Sequence, residues 1–180
     1  MALSVAVSSA AAGPTEPPSP ELRALLVQAI EDSDSFSDRF EAEVWLLDMS
    51  NRLARRIPEA EERLALLKIV HREATRAGLP PELVLAVIEV ESNFDRWAIS
   101  NVGAQGLMQI MPFWLREIGH PDDNLFDPRT NLRLGCTILK YYLDQEGGDL
   151  RKALARYNGT QRRNYADKVF NALSRRWFRE

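Results

Sequence analysis

The sequence is poor in the residues that form disulfides and metal sites. It has one cysteine, Cys136, and two histidines, His71 and His120, which lie far apart along the chain. A single cysteine excludes an internal disulfide, and these spacings match no zinc-binding pattern. We therefore expect no metal site and no cofactor, and we interpret Cys136 as a small buried residue.

The chain also lacks a dominant charge and a long apolar run. Its formal net charge is −3, from 23 Lys and Arg against 26 Asp and Glu. The basic residues are scattered, so we expect no nucleic-acid partner. No stretch approaches the roughly 20 apolar residues that span a membrane, so we expect no stable membrane insertion. A length of 180 residues, of which 45% are apolar, fits one domain with a small extension.

Residues 1–18 predict a flexible leader, because they are small, weakly apolar and then proline-rich. The alanines at positions 10–12 are typical of the end of an export signal. A basic start and a sufficiently long apolar run are missing from the residues before them. Either the true start lies upstream of this segment, or the segment is the remnant of an export signal or a flexible leader.

Residues 19–78 predict a helical extension of three helices. The first is expected to start at Ser19 and Pro20 and to end near Glu31. The second should end before Pro58, and the third at Gly78. The apolar residues expected on one face of each helix are Leu22, Leu25, Leu26 and Ile30 in the first, Phe40, Val44, Leu47 and Leu53 in the second, and Leu64, Leu67 and Val70 in the third.

A helix that starts at Pro81 is apolar on almost every side, which is typical of a helix inside a domain. Two glutamates interrupt it. At about 100° per residue, Glu89 and Glu91 point about 200° apart, so only one of them is expected to face a cleft. Apolar surroundings and the negative end of the helix dipole both raise a carboxyl pKa. Glu91 is therefore the candidate general acid, and a solvated glutamate at a helix end is the ordinary alternative.

Further helices are predicted toward the C-terminus. One covers residues 131–142, and Gly147 and Gly148 should break the chain after it. Asp149 is a candidate cap for a helix over residues 150–157. The last segment, with apolar residues between positions 165 and 177, is amphipathic and should pack across the domain.

Residues 91–159 contain four short motifs in a fixed order. They are Glu91-Ser92-Asn93-Phe94; Ser100 with Gly103-Ala104-Gln105-Gly106-Leu107-Met108-Gln109; Asn124-Leu125-Phe126-Asp127-Pro128 with Asn131 and Gly135; and Ala155-Arg156-Tyr157-Asn158-Gly159. The constellation resembles the lysozyme-like domain of bacterial soluble lytic transglycosylases, over about residues 69–177. The resemblance implies an all-α, lysozyme-like domain, which we assign to residues 79–180.

The resemblance also implies a reaction. Members of this family cleave the β-1,4 bond between N-acetylmuramic acid and N-acetylglucosamine in peptidoglycan and form a 1,6-anhydro sugar. Glu91 would act alone, first as acid and then as base. The residues that the resemblance implies for substrate binding are Ser100, Met108, Gln109, Tyr157, Asn158 and Tyr165. For Met108 and Tyr157, which would line the sugar-binding wall, core packing is the ordinary alternative.

Two other functions stay open on the sequence. If the helix continued past Glu91, Asp95 would share its face and could serve as the second carboxylate of a muramidase that uses water. The other alternative is a glycan-binding module without catalysis. The expected partner is the glycan strand of peptidoglycan, in the periplasm or cell envelope. Residues 19–78 are a candidate surface for a partner in an envelope complex.

Overall fold

The computed structural model describes residues 39–118, 120–159 and 164–178, together with Pro20. These ranges hold seven α-helices: α1 (Arg39–Leu53), α2 (Ala60–Arg76), α3 (Pro81–Ser92), α4 (Phe113–Glu117), α5 (Pro128–Gln145), α6 (Leu150–Tyr157) and α7 (Asn164–Ala172), followed by a π-helical turn (Leu173–Trp177). Within them β-pairing is limited to isolated bridges in one loop, so the all-α prediction is confirmed. The predicted leader and first helix lie outside the described residues, apart from Pro20.

Helix α3 lies at the centre of the fold. Residues 83–88 are buried, and the helix contacts α2, α7 and the π-helical turn. Helix α2 also contacts α1 and α5, α5 contacts α6, and α6 contacts α7. The predicted interior position of α3 is therefore confirmed. No helix in the described ranges is both long enough and apolar enough to cross a membrane.

Several helix ends follow from local sequence signals. Helix α2 is followed by Gly78, whose φ of +67° suits glycine. The side chain of Asp149 accepts the backbone N–H of Lys152 at 3.1 Å and caps α6, as predicted. Asp127 caps α5 in the same way, through the N–H of Thr130 at 2.9 Å.

The predicted apolar face of α2 needs one correction. Leu67 and Val70 are buried as expected, but Leu64 is exposed. At about 100° per residue, Leu64 points about 120° away from Val70, which lies near the middle of the buried face. That face instead includes Leu66, Ala74 and the charged residue Glu73.

Candidate active site

Helix α3 ends immediately after Glu91 because the chain turns into a left-handed conformation. Asn93 and Phe94 have φ values of +48° and +70°, and the N–H of Asn93 closes the last turn of the helix. Asp95 therefore does not share a helical face with Glu91, and the premise that made it a second carboxylate is wrong. Asp95 is exposed and accepts the backbone N–H of Trp97 at 2.9 Å.

Glu91 is partly buried and has a neutral partner. The hydroxyl of Tyr165 donates a hydrogen bond of 2.5 Å to its Oε1, and no Lys or Arg in the described ranges forms an ion pair with it. Burial raises the pKa of Glu91 from its ordinary 4.5 to about 7, although the hydrogen bond from Tyr165 works in the opposite direction. The carboxyl group can therefore hold or release a proton near neutral pH.

Two buried tyrosines lie within electrostatic reach of Glu91. Burial raises the pKa of Tyr165 and of Tyr157 well above 10, and the negative charge of Glu91 raises both further. Both phenols therefore keep their protons at neutral pH. Tyr165 can act on Glu91 as a hydrogen-bond donor, but it cannot act as a base.

Glu89, two residues earlier, faces the opposite side of α3. One of its oxygens pairs with Arg56 at 3.2 Å and with Arg176. The other oxygen accepts the indole N–H of Trp177 at 2.8 Å. The prediction that the two glutamates occupy different faces is confirmed.

A tight loop over residues 98–111, which we call the glycine loop, packs beside α3. At Gly106 a Cβ atom would lie 2.4 Å from both the side-chain amide of Asn131 and the carbonyl of Leu125. Only glycine fits there, and its φ of +74° also favours glycine. The predicted close approach of the backbone is thus confirmed at Gly106. At Gly103 no atom lies within 4 Å of such a Cβ.

The buried side chain of Asn131 holds this loop in place. Its Nδ2 donates to the carbonyls of Gln105 and Leu125 at 2.9 and 2.8 Å, and its Oδ1 accepts the N–H of Met108 at 2.8 Å. Asn131 belongs to the third motif, but the sequence alone predicts no role for its side chain. Asn131 is a polar residue on the same buried face of α5 as Leu134 and Gly135. A buried amide needs hydrogen-bond partners, so this pattern indicates a structural role.

Two neighbouring carbonyls of the glycine loop are fixed by hydroxyl groups from different helices. Ser92, at the end of α3, donates to the carbonyl of Leu107 at 2.9 Å. Tyr157, at the end of α6, donates to the carbonyl of Met108 at 2.8 Å. The loop therefore has a fixed position next to the turn of α3 that carries Glu91.

The predicted sugar-binding wall of Met108 and Tyr157 needs a correction. Met108 is fully buried, and its sulfur packs against Gly135 so closely that a Cβ there would lie 2.4 Å away. Tyr157 is also buried, with its hydroxyl bound to the Met108 carbonyl. Core packing, which was the ordinary alternative, therefore describes both side chains.

Three other predicted substrate-binding residues lie in loops or at a helix end. Ser100 accepts the N–H of Ala104 at 3.0 Å. Gln109, with a φ of +52°, donates its amide to carbonyls of its own loop. Asn158 is buried, and its Oδ1 has no hydrogen-bond donor in the described ranges. Among the described residues Tyr165 alone makes a hydrogen bond to Glu91.

The arrangement around Glu91 offers acid–base chemistry. Within the described ranges, His, Cys, Asp and Glu side chains form no group of three or more that could hold an ion. An all-α domain with one partly buried acid beside a glycine loop is typical of enzymes that cleave glycans by acid catalysis. The family described as Transglycosylase SLT domain matches residues 68–174. The chain belongs to this family, which confirms the resemblance found in the sequence.

Two curated relatives each match about half of the chain. A transglycosylase of Enterobacteria phage PRD1 is 37% identical over 92 residues, which cover 51% of this chain and 34% of that protein. Membrane-bound lytic murein transglycosylase C of Yersinia pestis (strain Pestoides F) is 32% identical over 109 residues, which cover 52% of this chain and 30% of that protein. The chain thus spans about a third of the length of the curated relatives that it matches.

A solved structure has the same fold. It is the X-ray structure of an inactive mutant of the lytic transglycosylase Slt from Pseudomonas aeruginosa. The match has a TM-score of 0.54 and 28% identity, and it covers 67% of this chain and 24% of that one. The lysozyme-like helical fold is therefore established by both sequence and structure.

Proposed function

We propose that this chain carries the catalytic domain of a lytic transglycosylase that cleaves the β-1,4 bond between N-acetylmuramic acid and N-acetylglucosamine. The observation that carries the proposal is the environment of Glu91: a partly buried carboxyl group with a phenol as its hydrogen-bond partner. Its pKa of about 7 suits a group that must both donate and accept a proton. The Pseudomonas structure adds support, because its inactive mutant replaces a glutamate with glutamine.

In the first step, the protonated Glu91 donates its proton to the oxygen that links the two sugars. The bond between that oxygen and the anomeric carbon breaks, and positive charge develops on the ring. The N-acetyl group of the substrate is well placed to stabilise this charge. The hydroxyl of Tyr165 stabilises the carboxylate that remains on Glu91, since it already donates to Oε1.

In the second step, the carboxylate of Glu91 takes the proton from the 6-hydroxyl of the same sugar. The oxygen of that hydroxyl attacks the anomeric carbon and closes the 1,6-anhydro ring. The proton lost in the first step is thereby recovered, so the enzyme returns to its starting state. One carboxyl group is enough for this cycle, whereas most glycosidases need two.

Substrate binding is proposed for Ser100, Gln109, Asn158 and Tyr165. The unpaired Oδ1 of Asn158 supports a binding role, because a buried acceptor without a donor costs about 1–3 kcal/mol. The amide oxygen of Gln109 is a second candidate acceptor, since the nitrogen of that amide is bound within the loop. Met108 and Tyr157 would act through the loop backbone and not through sugar contacts.

A muramidase that uses water is the second enzyme candidate. It would need a second carboxylate close to Glu91, and Asp95 is a poor choice because it is exposed and binds the N–H of Trp97. A module that binds glycans without cleaving them is the remaining alternative. Its site would have no need of a carboxyl group held near neutral pKa.

We propose the periplasm or cell envelope as the place of action, for remodelling of the cell wall. A relative is named a membrane-bound lytic murein transglycosylase, which supports peptidoglycan as the substrate. We also propose residues 19–78 as an N-terminal helical extension and a surface for an envelope partner. Within the described part of that extension, α1 and α2 pack against each other and α2 contacts the central helix.

The test is the chemistry of the products. Purified sacculi are digested with the full chain, and the soluble fragments are analysed by mass spectrometry. Ends with a 1,6-anhydro sugar are the expected result. Reducing ends would favour the muramidase, and binding to sacculi without soluble products would favour the silent module. Digestion with the Glu91→Gln variant, which lacks the proposed acid, is the negative control.

A further inference from the structure

A second concave site lies on the Glu89 side of α3, away from Glu91. It is a cavity of about 520 Å³ lined by Asn51, Arg52, Arg55, Arg56 and Arg176, which we call the arginine pocket. Arg52, Arg55 and Arg56 lie at the C-terminal end of α1 and in the turn after it, and Arg176 lies in the π-helical turn. Cavities that bind small molecules have about this volume.

The wall of this pocket is fixed by Arg52. Its Nε and Nη2 both bind Asp48 at 2.9 Å, and its Nη1 donates to the carbonyls of Arg176 and Phe178 at 2.9 and 3.0 Å. These bonds join α1 to the end of the π-helical turn. The hydrogen bonds of Arg52 therefore fix the two chain segments that carry the other arginines of the pocket.

Three guanidinium groups of the pocket retain unused donors. Arg56 donates its Nε to the side chain of Asn93 and shares Glu89 with Arg176. Arg55 is exposed and has no hydrogen bond or acid partner in the described ranges. Each guanidinium has five N–H donors, so most of those on Arg55 and Arg176 have no acceptor among the described residues.

The charges around the pocket do not balance. Four arginines line it, and Asp48 and Glu89 are the acids that pair with them among the described residues. The excess is two positive charges in a concave site, where the field of like charges is focused. A phosphate group matches both features, since it carries −1.5 to −2 charges and three acceptor oxygens.

We propose that the arginine pocket binds a phosphate group of a small ligand or of a lipid headgroup. A phosphate is favoured over a single carboxylate because the donors approach from two chain segments, and a tetrahedral group can meet them from several directions. The arginine pocket lies away from Glu91. The proposal of phosphate binding is therefore independent of the proposed cleavage reaction.

The experiment compares two arginines of equal charge. Phenyl phosphate is titrated into the full chain at physiological salt, and binding is followed by calorimetry. Arg55→Gln should weaken binding about tenfold or more, because it removes a lining guanidinium. Arg175→Gln removes the same charge from a neighbouring exposed residue outside the pocket lining and should leave the affinity nearly unchanged.

A second arm identifies the source of the phosphate. Vesicles of phosphatidylcholine with and without phosphatidic acid are mixed with the same three proteins and sedimented. Binding to phosphatidic acid that Arg55→Gln reduces assigns the site to a lipid headgroup, and binding of phenyl phosphate alone assigns it to a soluble ester. Absence of saturable binding to either probe would overturn the proposal, as would equal losses in both variants.

Discussion

Glu73 and Glu91 are both withdrawn from water, but their neighbours differ in charge. Glu73 is fully buried, and its oxygens meet Arg72, Arg76 and Arg133 at distances of 2.8 to 3.3 Å. Glu91 is partly buried, and its hydrogen-bond partner among the described residues is the neutral hydroxyl of Tyr165. One carboxyl group is surrounded by cations, and the other is hydrogen-bonded to one neutral phenol.

The role of a buried carboxyl group depends on which protein groups replace the water around it. Guanidinium groups offset the cost of burying a carboxylate, so Glu73 serves to join α2 to α5 through Arg133. A single phenol offsets that cost only in part, so burial raises the pKa of Glu91 to about 7. The first arrangement suits structure, and the second suits proton transfer.

The largest expected effect comes from removing the acid. Glu91→Gln should lower the rate of glycan cleavage about 10²–10⁴-fold, because an amide cannot deliver the proton. Folding should be preserved, since glutamine has the same shape and its oxygen can still accept from Tyr165. The rate is measured as release of soluble fragments from sacculi, and folding by thermal unfolding.

Glu89→Gln is the matched control for this variant, on the same helix and the opposite face. It removes the partner of Arg56 and Arg176 and should cost stability while sparing the cleavage rate. An equal loss of rate in both variants would mean that the effect is not specific to the position of Glu91.

Removing the other buried acid should damage stability instead. Glu73→Gln leaves three arginines without their shared carboxylate and should lower the free energy of unfolding by about 3–5 kcal/mol. Urea unfolding measures the change. Glu62→Gln, at an exposed position of the same helix, should change it by less than about 0.5 kcal/mol. Equal stability of the two variants would refute the structural role of Glu73.

The raised pKa of Glu91 also predicts how stability depends on pH. Between its ordinary pKa of 4.5 and its folded value of about 7, the folded chain holds a proton that the unfolded chain releases. The stability from this group is therefore fully present at low pH and is lost as the pH rises through about 7. The loss should amount to about 2–3 kcal/mol.

The Glu91→Gln variant lacks the titrating carboxyl group. The effect of Glu91 is therefore the difference in the free energy of unfolding between the parent protein and this variant. The free energy of unfolding of each is measured by urea at about pH 5 and about pH 8, on either side of the expected pKa. The parent should lose stability relative to the variant at the higher pH. A difference that stays constant across this range would argue against a raised pKa.

The smallest effect is expected from the phenol. Tyr165→Phe removes the hydrogen bond that lowers the pKa of Glu91, so this pKa should rise further above its ordinary value. The alkaline limb of the rate profile should therefore move to higher pH. Tyr157→Phe is the control, because its hydroxyl binds the Met108 carbonyl and not Glu91. Identical profiles for the two variants would contradict the role of Tyr165.

Local signals predicted much of the fold. The apolar run of α3 and the cap at Asp149 depend on residues close together in sequence, and both are confirmed. The opposite orientation of Glu89 and Glu91 also follows from helix geometry alone. Leu64 was misplaced because the direction of the buried face of α2 depends on which helices cover it.

The contacts of the candidate active site could not be predicted from local sequence signals, because they join residues far apart in the chain. Tyr165 lies 74 residues from Glu91, so only the family resemblance linked them, and its role in catalysis stays a prediction. The burial of Met108 depends on its fit against Gly135 on another helix. Arg72 and Arg76 are close to Glu73 along α2, but Arg133 reaches it only through tertiary packing, as Arg176 reaches the other arginines of the arginine pocket.

The most direct test of the account is the pKa of Glu91 in the folded protein. It can be measured by NMR, by following the side-chain carboxyl ¹³C signals of the full chain across a pH titration. The signal of Glu91 is assigned by its absence from the spectrum of the Glu91→Gln variant. A midpoint near 7 is the predicted result, and a midpoint at or below 4.5, the ordinary value, would contradict the central claim.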